Sequence, residues 1–276
     1  MIDVQKHGPW AVIAGASEGI GEQFARQLAV KGINIVLVSR RAAVLDELAD
    51  SIRRDVGSID VRVVALDLTD GDATERLAQQ THDVEVGLLV YNAGADIGPK
   101  AFHDRSVDEV MHFVNLNVVT PTKMCHHFGG LMRSRRRGGI ILVGSMAGLS
   151  GSALIATYSA TKAYQHALAE GLWRELKEHN VDAMTLVAGA TDTPAHTRTG
   201  ATFGGDAFPR MDPADVARTG LEWLGRAPLR AASDELQSAF DSMRALPIEQ
   251  IIEFMSMGSR AIYGLDSQDR DVVAPS

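Results

Sequence analysis

The feature that most constrains the fold is a regular alternation of short apolar runs with longer amphipathic segments. Six short apolar runs, many of their residues β-branched, occupy positions 10–14, 33–38, 61–66, 86–91, 140–144 and 181–187. The segments between them carry apolar residues at helical spacing, as at Val44, Leu45 and Leu48. Short apolar strands that alternate with helices are typical of a parallel sheet buried on both faces. The sequence therefore predicts an α/β fold with a doubly wound parallel sheet.

The C-terminal part of the chain departs from this alternation. A stretch with several glycines and two prolines at 189–211 predicts a long loop, which inside a compact domain usually serves as a lid or a binding loop. A further helix is expected from Asp212, and the stretch 233–258 predicts two short helices. A chain of 276 residues fits one α/β domain. We therefore expect a single domain over 1–276, with a lid at about 189–211 and a helical cap at about 233–258.

Charge and cysteine content limit the partners and the compartment. The net charge of −8 argues against nucleic acid or an anionic membrane as the main partner. Cys125 is the only cysteine, so no disulfide can form within the chain, and a reducing compartment is indicated. The N-terminus lacks a basic start followed by an apolar stretch, so no signal peptide is predicted. A cytoplasmic protein without a membrane span is expected, with Cys125 buried rather than reactive.

A glycine-rich turn follows the first apolar run. Gly15, Gly19 and Gly21 stand between that run and the first predicted helix. Glycines at such a turn allow a tight bend and the close approach of a pyrophosphate, and the helix N-terminus offers N–H groups and a favourable dipole to phosphate. The sequence therefore predicts a dinucleotide site at this turn.

The residues after the second apolar run bear on the choice of cofactor. An NAD site favours a carboxylate there, whereas this chain has Ser39, Arg40 and Arg41. Arginine can pair bidentately with a phosphate, so NADP(H) is predicted, with Arg40 as the main contact. Arg41 is more readily explained as a solvated residue at the start of a helix. Glu18 opposes the prediction, because a carboxylate in a phosphate turn is unfavourable unless its side chain points outward.

Two further strand ends suggest a cofactor cleft. Asp67 follows the third run, where its carboxylate can accept from an adenine amino group, although an aspartate here is more often a turn or helix-cap residue. Asn92, Ala93 and Gly94 follow the fourth run, where small residues permit close approach of the backbone. Because these strands are parallel, their carboxyl ends meet at one edge of the sheet.

Tyr158, Lys162 and Ser145 form the candidate catalytic group. Tyr158 and Lys162 are four residues apart, so both project from one face of a helix. A free tyrosine has a pKa of about 10, and a nearby lysine cation favours the phenolate and lowers that pKa. Ser145 follows the fifth run and can donate to a substrate oxygen. These residues together predict proton transfer during carbonyl/alcohol redox chemistry.

Three further features of the sequence bear on its chemistry. Asn117 lies within a predicted helix, where asparagine is unfavourable; it can anchor a proton path to Lys162, or it can be an ordinary surface or interface residue. The nine histidines show no metal-ligand spacing, so no metal is predicted. Ser145 lacks the Gly-x-Ser-x-Gly pattern of a hydrolase nucleophile.

From about Trp10 to Thr193 the chain resembles the short-chain dehydrogenase/reductase family in its single-domain form. The motifs that carry the resemblance are Gly15, Gly19, Gly21, Asp67, Asn92-Ala93-Gly94, Asn117, Ser145, Tyr158, Lys162 and Thr193. The resemblance implies a Rossmann-type sheet of seven strands and assembly into homodimers or homotetramers through two long helices. The predicted cofactor contacts are then Gly15, Ser17, Gly19, Ile20, Gly21, Ser39, Arg40, Asp67, Leu68, Asn92, Ala93, Gly94, Tyr158, Lys162, Thr191 and Thr193.

The resemblance also implies catalytic roles at the matching positions. Tyr158 would be the general acid/base, and Lys162 would bind the nicotinamide ribose and lower the tyrosine pKa. Ser145 would polarise the carbonyl, and Asn117 would hold a relay water. The segment 191–193 would meet the carboxamide of the cofactor.

Several positions depart from the family pattern. Ala14, Tyr91 and Ala188 replace a usual threonine, asparagine and proline, and each is expected to be a local change away from the reacting atoms. The usual Gly-Gly near the last strand is absent. The sequence therefore does not decide whether a seventh strand forms near Leu229–Ala232 or what forms the C-terminal substrate wall.

These features together predict an NADP(H)-dependent oxidoreductase that interconverts a ketone or aldehyde with an alcohol. A lipid- or steroid-like carbonyl compound is expected, because the predicted lining is apolar. That lining comprises Phe203, Phe208 and Met211 in the lid and Met146, Leu149 and Leu154 after Ser145. The alternative from another class is a regulatory or scaffold protein that binds the cofactor without turnover. An epimerase or dehydratase on the same fold is disfavoured, because the chain has no room for a larger substrate domain.

Overall fold

The computed structural model describes residues 2–94, 98–199, 201 and 209–265. Its centre is a parallel sheet of seven strands in the order β3-β2-β1-β4-β5-β6-β7. The strands are β1 Trp10–Ala14, β2 Asn34–Ser39, β3 Val61–Ala65, β4 Val86–Tyr91, β5 Gly138–Ser145, β6 Val181–Ala188 and β7 Leu229–Ala231. The predicted Rossmann-type doubly wound sheet is confirmed.

Helices connect the strands and cover both faces of the sheet. They are α1 Val4–His7, α2 Gly19–Val30, α3 Ala42–Val56, α4 Ala73–Gln80, α5 Val107–Val114, α6 Thr120–Arg135, α7 Ala156–Lys177, α8 Pro194–Arg198, α9 Pro213–Trp223, α10 Asp234–Arg244 and α11 Ile248–Ile262. A π-helical turn, Asn115–Val119, joins α5 to α6, and short 3₁₀ turns span Phe102–Asp104 and Met146–Gly148.

The two faces of the sheet pack against different helices. Successive strand residues point to opposite faces, so Ile13 of β1 packs with α2, α3 and α9, while Val12 packs with α4, α6 and α7. Both faces are buried, which is why the strands read as continuous apolar runs rather than as alternating ones. Cys125 lies in the second layer, and burial raises the pKa of its thiol to about 12. The predicted burial of this cysteine is therefore confirmed.

The order of the strands places a crevice beside β1. Ala14, the last residue of β1, is in register with Val38 of β2 on one side and with Tyr91 of β4 on the other. The chain builds the sheet outward from β1 to β2 and β3 on one side, and then from β4 to β7 on the other side. Ligands of open α/β sheets bind at the crevice where the strand order reverses in this way. The residues that follow Ala14, Val38 and Tyr91 therefore share one edge of the sheet.

Some elements differ from the sequence-based expectation. The seventh strand forms without the family's Gly-Gly, and β7 pairs with β6 through Leu229 opposite Thr185. Helix α4 begins only at Ala73, because the residues before it form a turn in which the backbone N–H of Asp70 is bonded to the Asp67 carbonyl. The short helix α1 was not predicted. Helices α10 and α11 form where two C-terminal helices were expected.

Candidate active site

The glycine turn connects β1 to α2 and has a backbone suited to a phosphate. Gly15 (φ +84°) and Gly19 (φ +58°) adopt left-handed conformations that other residues rarely take. A Cβ atom on Gly21 would overlap the Gly15 carbonyl oxygen, so this glycine lets α2 approach the turn. Glu18 is the N-cap of α2 and makes no side-chain capping bond. The first turn of α2 therefore presents its N–H groups at the crevice, as phosphate binding requires.

The end of β4 supports this turn directly. Asn92 donates from Nδ2 to the Gly15 carbonyl at 2.9 Å. A Cβ atom on Gly15 would lie 2.7 Å from the backbone nitrogen of Ala93. The turn and the strand end are thus in close backbone contact, and the predicted Asn92-Ala93-Gly94 segment lies beside the predicted glycine turn.

Arginines surround the carboxylate of Glu18. Arg41 donates from Nη2 to Glu18 at 2.5 Å and to the Ser17 hydroxyl at 2.8 Å. Arg198 of α8 also donates to Glu18. Burial alone would raise the pKa of Glu18, but the hydrogen bonds from Arg198 and Arg41 outweigh it and hold that pKa below its ordinary value. Glu18 does not simply point outward; its charge is offset by two guanidinium groups.

The two arginines after β2 occupy different environments. Arg41, expected to be only a solvated helix-start residue, contacts the phosphate turn through Ser17 and Glu18. Arg40 has a side chain that is 69% exposed and lies 3.9 Å from Asp67. Both guanidiniums are therefore at the same edge of the sheet, but the turn is contacted by Arg41. Ser39 ends β2, and its hydroxyl accepts from the Arg41 N–H at 3.3 Å.

Asp67 and Leu68 have structural partners at the end of β3. One carboxylate oxygen of Asp67 accepts from the Thr69 N–H at 2.9 Å and from the Thr69 hydroxyl at 2.8 Å, as expected of a turn aspartate. Burial would raise the pKa of Asp67, but these bonds lower it. The Leu68 carbonyl accepts from the Thr120 hydroxyl at 2.5 Å. The other oxygen of Asp67, Oδ2, is the one that faces Arg40.

Lys162 is the buried cation of the candidate catalytic group. Its Nζ donates to the Val143 carbonyl at 2.8 Å and to Gln165 Oε1 at 3.1 Å. The same atom lies 5.8 Å from the centroid of the Tyr158 ring. Burial lowers the pKa of Lys162 to about 8, so the ammonium form still predominates at pH 7. Tyr158 and Lys162 thus face one another, as their spacing on α7 predicts.

Ser145 stands at the end of the strand that anchors Lys162. It is the last residue of β5, and its hydroxyl accepts from the Ala147 N–H at 3.2 Å at the start of a 3₁₀ turn. Val143, whose carbonyl accepts from Lys162, lies two residues earlier on the same strand. The bond from Lys162 to Val143 therefore ties the helix of Tyr158 to the strand end that carries Ser145.

Asn117 lies inside the π-helical turn and is completely buried, so the surface alternative for this residue is wrong. Its Nδ2 donates to the Thr161 hydroxyl at 3.1 Å. Its Oδ1 has no hydrogen-bond partner among the described residues. A Cβ atom on Gly94 would lie 3.0 Å from both this oxygen and Lys162 Nζ. A side chain at 94 would crowd both atoms, and a buried acceptor and an ammonium donor converge beside this glycine, which suits a hydroxyl-bearing group such as a ribose.

The segment after β6 lies over the glycine turn. Thr191 is buried, donates to the Gly189 carbonyl at 3.0 Å and forms a β-bridge with Met211. A Cβ atom on Gly19 would lie 2.8 Å from Thr193 Cγ2, so Thr193 contacts the phosphate turn. Of the predicted lid residues, Phe203 and Phe208 lie outside the described residues.

An apolar wall follows Ser145. Met146 and Leu149 pack against a small cluster made by Val187, Ala231 and Phe240. Leu236 of α10 joins the same cluster. The seventh strand forms although the family's Gly-Gly is absent, and β7 and α10 supply the apolar residues packed against this wall.

The sequence patterns missed two polar residues behind the site. Gln165 is completely buried, and its amide donates to the Asn117 carbonyl at 2.9 Å. Tyr91 donates from its hydroxyl to the Leu116 carbonyl at 2.5 Å, and burial raises its pKa well above the ordinary value. Tyr91, which replaces the family's usual asparagine, therefore contacts the turn that carries Asn117 through its hydroxyl. Gln165 could have been found from its spacing, because it is a polar residue one helical turn after Lys162 on α7.

The described residues also bear on metals and membranes. They contain no group of three or more His, Cys, Asp or Glu side chains placed to bind a metal ion. Within the same ranges, no helix is both long and apolar enough to cross a membrane.

Comparison with known proteins decides the family. The family model for short chain dehydrogenases matches residues 9–202. The chain belongs to the short-chain dehydrogenase family. Members of this family are oxidoreductases of hydroxyl and keto groups that use a nicotinamide cofactor. In this short-chain dehydrogenase the glycine turn contacts Ala93, and the buried Lys162 lies beside the neighbouring Gly94.

Individual relatives of this short-chain dehydrogenase are also informative. A 7beta-hydroxysteroid dehydrogenase of Clostridium sardiniense is 37% identical to it over 223 residues, which cover 80% of this chain and 84% of that protein. A very-long-chain 3-oxoacyl-CoA reductase of Podospora anserina is 37% identical over 186 residues, covering 66% of this chain and 55% of the reductase. A solved structure from work on 7beta-hydroxysteroid dehydrogenase stereoselectivity has a TM-score of 0.85 and 28% identity, and covers 92% of this chain and 99% of that one.

Proposed function

We propose that this chain is an NADP(H)-dependent oxidoreductase that interconverts a ketone with a secondary alcohol on a mid-sized apolar substrate. The observation that carries the proposal is the position of the Lys162 ammonium, buried and 5.8 Å from the centroid of the Tyr158 ring. A buried cation beside a phenol favours its ionised form and brings proton exchange toward neutral pH. Lys162 also lies beside Gly94, in the segment whose Asn92 donates to the glycine turn.

The chain's own residues supply the proton and the positioning. Tyr158 gives a proton to the substrate oxygen in reduction and takes one from it in oxidation. Ser145 donates a hydrogen bond to the same oxygen as negative charge develops on it. The nicotinamide, when bound, supplies or accepts the hydride. Lys162 and Asn117 offer a donor and an acceptor beside Gly94, which supports the binding of the cofactor's ribose hydroxyls.

The preference for NADP(H) rests on the charges around the glycine turn. Arg41 and Arg198 pair with Glu18 at the turn, and Arg40 lies near Asp67 at the same edge of the sheet. The excess of guanidinium groups favours the additional phosphate of NADP(H), since arginine binds phosphate through paired charge-assisted hydrogen bonds. A site for NAD would place a carboxylate at the end of β2, where this chain has Ser39 and Arg40.

The substrate class rests on the apolar wall and on the relatives. Met146 and Leu149 follow Ser145 and pack against an apolar cluster that includes the buried Phe240. The relatives named for their substrates act on a 7β-hydroxysteroid and on very-long-chain 3-oxoacyl-CoA. These substrates share a hydroxyl or keto group on a bulky apolar skeleton, so we propose a steroid-like or long-acyl ketone here.

The two long helical segments support assembly into a homodimer or homotetramer. Their exposed apolar residues are Val107 and Met111 of α5, Val119 of the π-turn, Leu131 of α6 and Tyr164 of α7. Apolar side chains on neighbouring helices are typical of contacts between copies of a chain. Size-exclusion chromatography with light scattering tests this part of the proposal.

The experiment that tests the function is NADPH consumption across a panel of carbonyl compounds. The panel contains short aldehydes, cyclic diketones, β-ketoacyl thioesters and ketosteroids, with NADPH and NADH binding measured in parallel. We expect turnover on the bulky apolar ketones, and we expect Tyr158→Phe to lower kcat by roughly 10²–10⁴-fold with cofactor affinity nearly unchanged. Tyr164→Phe is the matched control, because Tyr164 lies on the same helix with a partly exposed side chain.

The outcomes separate the alternatives. Turnover that survives in Tyr158→Phe would contradict the proposed mechanism. Tight NADPH binding without turnover on any compound would favour the regulatory or scaffold alternative. Equal use of NADH and NADPH would contradict the proposed cofactor preference and leave the oxidoreductase assignment intact.

A further inference from the structure

Gln165 has an amide whose two ends are bonded to different parts of the site. Its Nε2 donates to the Asn117 carbonyl at 2.9 Å, and its Oε1 accepts from Lys162 Nζ at 3.1 Å. A carbonyl can only accept and an ammonium can only donate, so these partners allow one orientation of the amide. The side chain is completely buried. Gln165 therefore forms a fixed bridge between the catalytic lysine and the π-turn of Asn117.

The bridge is itself anchored on both sides. The Thr185 hydroxyl of β6 donates to the backbone carbonyl of Gln165 at 3.1 Å. On the other side, the Tyr91 hydroxyl donates to the Leu116 carbonyl, next to the Asn117 carbonyl that Gln165 contacts. A π-turn disturbs the regular helical hydrogen bonds, and such turns are frequent at functional sites. Two adjacent carbonyls of this turn are thus bonded to side chains from elsewhere in the fold.

The charge of Lys162 depends on very few partners. The described residues place no carboxylate within salt-bridge distance of Nζ, and its hydrogen-bond acceptors there are Val143 O and Gln165 Oε1. The titratable groups that face it are Tyr158 and His166, both on α7. A buried cation that loses one of two acceptors is destabilised relative to its neutral form. Gln165 thus supplies half of the polar contacts that keep this buried ammonium charged.

We propose that Gln165 is a positioning residue that keeps Lys162 protonated and fixed relative to Asn117, so that the cation remains beside Tyr158. The inference rests on the proposed function for its role in turnover, but the bridge itself can be tested without a substrate. Burial already lowers the pKa of Lys162 to about 8. Loss of the Oε1 acceptor lowers it further, toward neutral pH, where the protein would lose part of its positive charge beside Tyr158.

The primary test measures the ionisation of Lys162 in the cofactor-free protein. Lysine labelled with ¹³C at Cε is titrated by NMR, and the Lys162 signal is assigned by its loss in Lys162→Met. We expect Gln165→Met to lower the pKa of Lys162 by about one unit, because a hydrogen bond to a charged group is lost. Gln165→Glu retains an acceptor oxygen and adds a negative charge, so it should leave this pKa unchanged or raise it. The opposite behaviour of the two variants separates a polar contact from simple packing.

The secondary test follows kcat against pH with the best substrate of the panel. In Gln165→Met the fall of kcat at high pH should begin about one pH unit lower than in the wild type. Gln165→Glu should show no such shift. Gln237→Leu is the control. The side-chain amide of Gln237 on α10 also makes two hydrogen bonds, accepting from the Ala231 N–H and donating to Asp241, but it does so away from Lys162. This control should leave both the titration and the pH profile unchanged.

The outcomes decide the inference independently of the enzyme's substrate. A Lys162 pKa that is unchanged in folded Gln165→Met, or lowered equally in Gln165→Met and Gln165→Glu, would overturn it. If Gln165→Met does not fold, Gln165→Asn carries the test, since it keeps the amide but shortens its reach and should lower the pKa. If the wild type shows no turnover on any compound, the proposed function fails while the NMR titration still decides the role of Gln165.

Discussion

The Arg41 guanidinium donates to the Glu18 carboxylate with 2.5 Å between Nη2 and Oε2. This contact joins the loop after β2 to the N-cap of α2, so two parts of the crevice that are distant in sequence share one ion pair. Arg198 of α8 donates to the same carboxylate. The glycine turn therefore carries a negative charge that two arginines offset, and this balance must bear on the binding of an anionic cofactor.

Replacing Glu18 with glutamine should strengthen cofactor binding. Without the carboxylate, Arg41 and Arg198 lose their acidic partner and a like charge no longer faces the phosphates. NADPH affinity should rise by roughly threefold and NADH affinity by less, because the exposed pairs involved are weak and NADPH carries more charge. Fluorescence titration at low and high salt measures both, and the gain should diminish as salt screens it. Weaker NADPH binding in Glu18→Gln would show that the ion pair organises the turn instead.

The two arginines after β2 should respond differently to charge reversal. Arg40 is largely exposed and does not contact the turn, so its guanidinium is available to the additional phosphate that only NADPH carries. Arg40→Asp should therefore weaken NADPH binding by roughly tenfold or more and change NADH binding little. Arg41→Asp would place a carboxylate beside Glu18 and should weaken the binding of both cofactors. Arg54→Asp, an equal charge change on the exposed side of α3, is the control. Equal losses of NADPH and NADH binding in Arg40→Asp would refute its contact with the additional phosphate.

Alanine at two glycines should have opposite effects on stability. Gly21→Ala should lower the free energy of unfolding by about 2 kcal/mol and abolish tight cofactor binding, because its Cβ atom would overlap the Gly15 carbonyl and approach Asn92 Nδ2 within 2.7 Å. Gly171 lies within α7, and a Cβ atom there would meet no other atom within 4 Å. Gly171→Ala should therefore raise the free energy of unfolding by about 0.5–1 kcal/mol. Urea unfolding and NADPH titration check both, and stable, cofactor-binding Gly21→Ala would contradict the described packing.

His166 should make the protein sensitive to acid. Burial, with smaller effects of Lys162 and Arg244, lowers the pKa of its imidazole from 6.5 to about 4. As the pH falls, His166 is therefore protonated at a higher pH in the unfolded chain than in the folded protein. The free energy of unfolding should then decrease between about pH 6.5 and pH 4, by up to about 3 kcal/mol. His166→Leu should flatten the dependence of the free energy of unfolding on pH in this window. His126→Leu, at an exposed position on α6, should retain it, and an equal slope in all three proteins would exclude His166 as the cause.

Much of the fold could be predicted because its information is local. The short apolar runs and the helical spacing between them predict six strands and their order along the chain, and the structure confirms them. The sequence leaves the seventh strand open, because Leu229–Ala231 is short and is stabilised by pairing with β6 rather than by its own pattern. Tyr158 and Lys162 could be paired for the same reason, since four residues on a helix bring two side chains to one face.

The tertiary structure alone decided which polar groups meet. Arg41 rather than Arg40 contacts Glu18, because the direction of each guanidinium depends on neighbouring strands and helices and not on its place in the chain. Gln165 reaches the Asn117 carbonyl across 48 positions of sequence, through the packing of α7 against the π-turn. The local pattern of residues is thus enough to predict the secondary-structure elements, because periodicity is a short-range property. The partners of Lys162 and Glu18 were decided by the order of the strands and the packing of helices, which bring distant residues together.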